Sequence, residues 1–252
     1  MEMNYVFEGN GDKIIVFVHG LGESLDYWRV LSSKLNKGYK ILLYDIRGHG
    51  NSPLGDEAFS IDMLVDDLHN LILKLNIKKT SLVGFSLGGN VVLSFAIKYP
   101  DFVDKLIVMS SFSENDENLR SKFLEFRDAI GISYEAFFDV IIRYVIPDDV
   151  YMQNREVLEF VKKENARKAN TKAIKYGIDA GIDFDVTNQL NSIRCPVMIL
   201  AGRDDDIISL KLSEILNDNI KNSQLMIFDD TKHNLLIGKN ISEILELMRK
   251  FL

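Results

Sequence analysis

The chain is poor in the residues that form cross-links and sharp bends. Its 252 residues include one cysteine, one tryptophan and four prolines. A single cysteine, Cys195, excludes an internal disulfide, and this fits a reducing compartment. Cys195 precedes Pro196 at the start of an apolar run. We therefore interpret it as a small buried hydrophobic residue.

Long apolar runs and an excess of positive charge are also missing. The first apolar run, residues 14–18, is too short for the core of a signal peptide or for a membrane span. The formal net charge of −7 argues against nucleic acid as a partner. We expect a cytoplasmic protein without a membrane span that acts on a small molecule. Composition leaves its oligomeric state open.

Short apolar runs of strand length recur along the chain, and most are separated by segments with helical periodicity. The runs are 14–18, 41–44, 81–83, 106–109, 197–200 and 225–228. Continuous rather than alternating apolarity is typical of strands covered on both faces. Alternating strands and helices predict an α/β fold with a mostly parallel central sheet flanked by helices.

The alternation stops after residue 111 and returns at Cys195. Residues 112–190 show helical spacing only, as in the apolar stripe that includes Phe123 and Phe126. We therefore divide the chain into a core, residues 1–111 and 191–252, and a helical insertion, residues 112–190. Apolar stripes on helices usually pack against the body of a protein. We expect packing to be the main role of Phe123 and Phe126.

The segment "SLVGFSLGGNVV", residues 81–92, crowds three glycines around Ser86. Its first part has the character of a strand and its last part that of a helix, so Ser86 lies at a strand-to-helix turn. Such a turn strains the backbone and exposes the serine side chain. Gly84 and Gly88 remove Cβ atoms where the two arms meet, and Gly89 allows close packing of the helix. Ser86 is our candidate nucleophile.

A serine hydroxyl needs a neighbouring base, and the chain offers four histidines. His233 follows the last apolar run, where we expect the carboxyl edge of the sheet and the active site. His19 ends an earlier strand, and His69 lies within a predicted helix. His49 lies in a glycine-rich loop and is the only rival. We select His233 as the base.

The base in turn needs a carboxylate that orients it. The run "VMILAGRDDD" places three aspartates after another strand. We choose Asp205, at the tip of the turn, and keep Asp204 as an alternative. Asp206 fits a solvated loop or a helix cap better.

Acyl transfer also requires two fixed N–H donors for the developing oxyanion. The Leu87 N–H, directly after Ser86, is one candidate. The Leu21 N–H, in the "HGLG" segment after the first apolar run, is the other. A simple tight glycine turn would explain "HGLG" equally well, since backbone donors leave no side-chain signature.

At this point the sequence resembles the α/β-hydrolase family of lipases, esterases and lactonases, over nearly the whole chain. The matching segments include "VHGLGES", "YDIRGHGNS", "LVGFSLGGNVVLSFAIKYP" and "KHN". The resemblance implies a sheet of the eight-stranded type with residues 112–190 as a helical cap after the sixth strand. The family's first antiparallel strand could be missing. No cofactor or metal is implied.

The resemblance also implies roles for the candidate residues. Ser86, Asp205 and His233 would be nucleophile, acid and base, and the N–H groups of Leu21 and Leu87 would form the oxyanion hole. Two positions depart from the family pattern. Lys232 stands where a glycine usually precedes the histidine, and Asp206 stands where a proline often follows the aspartate.

These features predict a serine hydrolase that cleaves carboxylic esters of small acyl or aryl groups. An aromatic-rich insertion over the sheet predicts a mainly apolar pocket. Lactonase, thioesterase and carbon–carbon hydrolase activities belong to the same fold and remain open. A ligand receptor that keeps this fold with slow or no turnover is the alternative from another class.

Overall fold

A seven-stranded sheet runs through the computed structural model, which describes residues 1–252. The strands are β1 (Tyr5–Gly9), β2 (Ile14–Val18), β3 (Lys40–Tyr44), β4 (Thr80–Phe85), β5 (Val103–Met109), β6 (Val197–Gly202) and β7 (Ser223–Phe228). Their spatial order is β1-β3-β2-β4-β5-β6-β7. Only β1 runs antiparallel to its neighbour, β3, and the other pairs are parallel. The predicted mostly parallel sheet is confirmed.

Ten α-helices surround or extend from this sheet. They are α1 (Arg29–Leu35), α2 (Ile61–Lys74), α3 (Leu87–Lys98), α4 (Glu117–Ile132), α5 (Tyr134–Val145), α6 (Asp148–Gln153), α7 (Arg155–Ala166), α8 (Thr171–Ile182), α9 (Leu210–Asn219) and α10 (Ile241–Phe251). No helix is both long and apolar enough to cross a membrane.

Both faces of the central strands are buried, as their continuous apolarity predicts. Along β2, Val16 belongs to a cluster of 50 buried residues that includes the inner faces of α2 and α3. Its neighbours Ile15 and Phe17 belong to a second cluster of 20 residues that includes α1 and α10. Successive side chains on a strand point to opposite faces, so one short run serves two cores.

The helical insertion lies between β5 and β6. It contributes the five helices α4 to α8 and no strand. Three of these helices begin at side-chain caps. Asp116 accepts from the Leu119 N–H, Ser133 from the Ala136 N–H and Asn170 from the Ala173 N–H. Five strands precede the insertion in this seven-stranded sheet, one fewer than in the eight-stranded type that the resemblance implies. Residues 1–4 form no strand, and the sheet has seven strands instead of eight.

Strand β1 was not expected from the sequence. Its residues are half-buried or exposed, because it lies at the edge of the sheet and pairs with β3 alone. An edge strand of this kind has no continuous apolar run to reveal it. Gly9 ends it in the left-handed region, with φ of 89°.

Candidate active site

Ser86 lies between β4 and α3 in a backbone conformation that is rare for a residue with a side chain. Its φ is 51° and its ψ is −119°. Such conformations cost about 1–3 kcal/mol and persist where the surrounding structure holds them. Here the Ser86 N–H donates to the Met109 carbonyl at 2.9 Å, and Ser111 Oγ donates to the Ser86 carbonyl at 2.8 Å. These two hydrogen bonds hold the turn against the end of β5.

The glycines around Ser86 allow the backbone segments of this turn to touch. A Cβ atom on Gly84 would lie 2.3 Å from the Gly88 carbonyl oxygen. A Cβ atom on Gly88 would lie 2.1 Å from the Val18 carbonyl oxygen. Real Cβ atoms do not approach so closely, so any larger residue would force β4, α3 and β2 apart. This explains why glycine, otherwise unfavourable in regular structure, occupies these positions.

His233 and Asp205 follow β7 and β6 and are directly hydrogen-bonded. His233 Nδ1 lies 2.7 Å from Asp205 Oδ2, and both side chains are buried. The other carboxylate oxygen accepts from the N–H groups of Ile207 and Ile208, each at 2.9 Å. Since a carboxylate only accepts, Nδ1 carries the proton and Nε2 is left as the basic nitrogen. Ser110 Oγ donates to the His233 carbonyl at 2.8 Å and fixes the loop.

The rival residues lie elsewhere. Asp204 is exposed, and the carboxylate bonded to His233 is that of Asp205. His49 does not line the cavity that Ser86 and His233 share, and its Nδ1 lies 3.0 Å from the Arg47 carbonyl oxygen. His69 stacks on Tyr99 with ring centroids 3.8 Å apart.

His19 connects two loops near the site through hydrogen bonds. Its Nδ1 donates to the Gly20 carbonyl at 2.8 Å, and its Nε2 accepts from the Ile46 N–H at 3.0 Å. Complete burial lowers the pKa of the imidazole from 6.5 to about 3. A neutral ring therefore joins the loop after β2 to the loop after β3.

Leu21 and Leu87 line the same cavity as Ser86 and His233. The Leu21 N–H, in the loop held by His19, donates to no other group of the protein. The Leu87 N–H is at the first position of α3 and is likewise unpaired. Helix N-termini of this kind favour negative charge. Two unpaired donors therefore lie on the wall that holds the serine.

A cavity of about 290 Å³ lies over Ser86, between the sheet and the insertion. Of its 25 lining residues 17 are hydrophobic, and most of these come from α4, α5 and α7. Phe123 and Phe126 are buried in the core, as expected, but both also line the cavity. The expectation that they mainly pack is therefore incomplete. Mostly apolar walls with a few polar groups are typical of small-molecule sites.

Sequence reasoning missed Glu23, the only acidic residue on the cavity wall, which has no lysine or arginine. Its carboxylate makes no hydrogen bond or ion pair within the protein, and the residue is exposed to the solvent that fills the cavity. Surrounding protein raises the pKa of this carboxyl from 4.5 to about 7 by desolvation. The position directly after "HGLG" was the only available signal.

Lys232 was noted only as a departure from the family pattern, and the structure gives it contacts. Its ammonium donates to the Arg143 carbonyl of α5 and to the Asp148 carboxylate of α6, both at 2.9 Å. The adjacent Asn234 N–H donates to the Val145 carbonyl at 3.2 Å. The histidine loop is therefore fastened to the insertion. No cluster of three or more histidine, cysteine, aspartate or glutamate side chains could hold a metal ion.

Comparison with known proteins agrees with this architecture. Residues 13–239 match the model of the α/β hydrolase fold family. Since the match spans most of the chain, the protein belongs to the α/β-hydrolase family.

Curated relatives of similar length have several activities. A putative carbamate hydrolase, RutD, of Caulobacter sp. (strain K31) is 28% identical over 216 residues, 84% of this chain and 80% of that protein. The proline iminopeptidase of Saccharolobus solfataricus is 28% identical over 275 residues, 98% of this chain and 87% of that protein. The relatives therefore support a hydrolase without selecting a substrate.

Solved structures show the same fold at lower sequence identity. MGS-M2, an α/β hydrolase from a deep-sea metagenome library, superposes with a TM-score of 0.90 at 21% identity, over 99% of this chain and 93% of its own. The enol-lactonase of Burkholderia xenovorans LB400 superposes with a TM-score of 0.88 at 20% identity, over 99% and 95%. At this identity the likeness establishes the fold alone.

Proposed function

We propose that this protein is a serine hydrolase that cleaves carboxylic esters through an acyl-enzyme on Ser86. The observation that carries the proposal is the buried 2.7 Å hydrogen bond between Asp205 and His233, whose ring shares one cavity with Ser86. A strained serine and an oriented imidazole are the two parts that nucleophilic catalysis needs.

Each side chain has one role in the proposed reaction. Ser86 Oγ attacks the ester carbonyl carbon, and His233 Nε2 takes its proton. The N–H groups of Leu21 and Leu87 stabilise the negative oxygen of the tetrahedral intermediate. His233 then gives the proton to the departing alcohol, and a water activated by the same nitrogen releases the acid. Asp205 holds the imidazole and stabilises its charged form.

The cavity supports small acyl or aryl groups as the substrate class. Its walls are mainly apolar, and its volume of about 290 Å³ accommodates a small molecule. In this proposal residues 112–190 act as the cap that sets specificity, since their helices supply most of the wall. The enol-lactonase and carbamate hydrolase named above are relatives of the same family, which is compatible with attack on a carbonyl carbon.

Hydrolysis of p-nitrophenyl acetate and butyrate, together with fluorophosphonate labelling, tests the proposal. We expect Ser86→Ala to lower kcat by about 10³-fold or more and to abolish labelling, while the fold is retained. Ser94→Ala is the matched control, because Ser94 lies on the same helix α3 but does not line the cavity over Ser86. Labelling of another serine would overturn the proposal. Labelling of Ser86 without turnover of any ester would favour a receptor that kept the fold.

A further inference from the structure

Glu23 places a carboxylate on the wall of a cavity that is otherwise mainly apolar. It shares the wall with 17 hydrophobic residues, and neither lysine nor arginine lies there to pair with it. Solvent reaches this side chain in the cavity. A ligand that fills the cavity displaces that solvent, and the ionised carboxylate is then unfavourable unless the ligand supplies a cation or several hydrogen-bond donors. The raised pKa of this carboxyl shows the same physical cost. A cationic ligand would remove that cost by supplying the missing partner.

Aromatic rings share the cavity wall with this carboxylate. Gly22 lies against Phe137 of α5, since a Cβ atom added there would be 3.7 Å from the Phe137 ring. Burial raises the pKa of the Tyr134 phenol, and the charge of Glu23 adds to that shift. Tyr134 and Phe137 line the cavity. A carboxylate with aromatic faces is the combination that binds ammonium groups, through charge and through cation–π attraction.

The position of Glu23 also limits where such a group would lie. It follows Leu21, the proposed oxyanion donor, by two residues, so their Cα atoms are at most about 7 Å apart. A carbonyl oxygen bound at Leu21 would therefore hold the rest of a short acyl chain within reach of the Glu23 side chain.

We propose that Glu23 binds a primary ammonium group on the acyl part of the substrate, so that the preferred substrates are short aminoacyl esters. This inference rests on the proposed function, because it names the substrate class of the same site. Glu23 is a specificity-determining residue in this view. It takes no part in proton transfer to or from Ser86.

The test compares pairs of methyl esters of equal shape, in which an ammonium group of the ω-amino ester replaces the terminal methyl group of the neutral ester. Suitable pairs are 3-aminopropanoate with butanoate and 6-aminohexanoate with heptanoate. Hydrolysis of each methyl ester is measured from the proton that it releases. We expect the wild type to favour at least one amino ester by about tenfold to a hundredfold in kcat/KM, which is the scale of a charge-assisted contact. Glu23→Gln should bring that ratio near one, and Glu23→Asp should keep part of it.

Asp26→Asn is the matched control, since it removes a carboxylate from the same loop at a side chain that is 75% exposed and outside the cavity. Its ratio should equal that of the wild type. Because the readout is a ratio of two substrates, a general effect of a substitution on turnover cancels. Thermal unfolding of each variant verifies that the fold is kept.

Calorimetric binding to the Ser86→Ala protein separates the two proposals. If neutral esters are cleaved but the amino esters gain nothing, or if Glu23→Gln leaves their advantage unchanged, the inference is overturned and the ester hydrolase stands. If no ester is cleaved, yet Ser86→Ala binds an amino ester tenfold more tightly than Ser86→Ala with Glu23→Gln does, the ammonium site stands and the hydrolase fails. Absence of both effects overturns both.

Discussion

The Asp205 carboxylate accepts three hydrogen bonds, and they divide its two oxygens between two roles. Oδ2 orients His233, while Oδ1 accepts from the N–H groups of Ile207 and Ile208. The backbone contacts hold the carboxylate still, so the imidazole receives a fixed partner. This division is possible because the turn after β6 carries the aspartate back over the sheet edge.

We predict that Asp205→Asn lowers kcat for p-nitrophenyl acetate by about 10³–10⁴-fold, because an amide would favour the wrong tautomer of His233. Stability should change little, since the amide oxygen can still accept from Ile207 and Ile208. Steady-state kinetics and urea denaturation measure the two effects. Asp204→Asn, at an exposed neighbouring position, is the control. A larger loss of activity in that control would show that Asp205 does not orient the base.

Sequence alone was sufficient to select Asp205 and His233 as partners, but it gave no indication of Glu23. Both partners follow apolar runs that form adjacent parallel strands, β6 and β7, and adjacent strands end at the same edge. A glutamate in a loop is normally solvated, so nothing local distinguishes Glu23. The cavity that it lines is walled largely by α5, more than a hundred positions later in the chain. Contacts of that separation leave no local pattern.

At the level of elements, the loop after β7 connects the sheet to the insertion. Lys232 donates to a carbonyl of α5 and to the Asp148 carboxylate, whose side chain is 90% exposed. Exposed ion pairs contribute little to stability, about 0–1 kcal/mol. We therefore expect this contact to position α5 more than to stabilise the fold. Helix α5 supplies Tyr134 and Phe137 to the cavity.

We predict that Lys232→Ala lowers the free energy of unfolding by no more than about 1 kcal/mol. The KM for butyrate and longer esters should rise by up to about fivefold, which is the same energy expressed as binding. Lys239→Ala is the control, because Lys239 pairs with Asp230 in the same loop and makes no hydrogen bond or ion pair to the insertion. If both variants shift KM equally, the contact with α5 has no role in binding.

The elements themselves were predictable to different degrees. Strands β2 to β7 and the amphipathic helices α2 and α10 follow from apolar runs and stripes, because burial on both faces or on one face dictates those patterns. Strand β1 was not predicted, because it pairs along one edge only and none of its residues is fully buried. The short helix α6 has no buried residue and hence no stripe. An element that packs little against the core has no regular hydrophobic pattern from which it could be predicted.

At the scale of the whole molecule, we expect acid to lower the free energy of unfolding, and His19 is the main cause. Folded and unfolded chains differ in how readily this residue takes up a proton. Its pKa is about 3 in the fold and 6.5 without it, because burial excludes the charged ring. Between these values the unfolded chain binds a proton that the folded protein does not. The free energy of unfolding therefore falls as the pH drops from about 6.5 towards 3. His49, 5.6 Å away, also has a lowered pKa and acts in the same direction.

We predict that His19→Asn is less stable than the wild type at pH 7.5, by about 1–3 kcal/mol, because the Ile46 N–H and the Gly20 carbonyl lose their buried partner. The difference should shrink as the pH falls to 4.5, since asparagine does not titrate and the variant escapes the acid penalty. Urea denaturation at half-unit steps of pH measures both curves. His69→Asn removes a histidine that stacks on Tyr99, and it reports the effect of losing an imidazole outside this contact. A gap between wild type and His19→Asn that stays constant, or widens, towards acid would contradict a buried neutral His19.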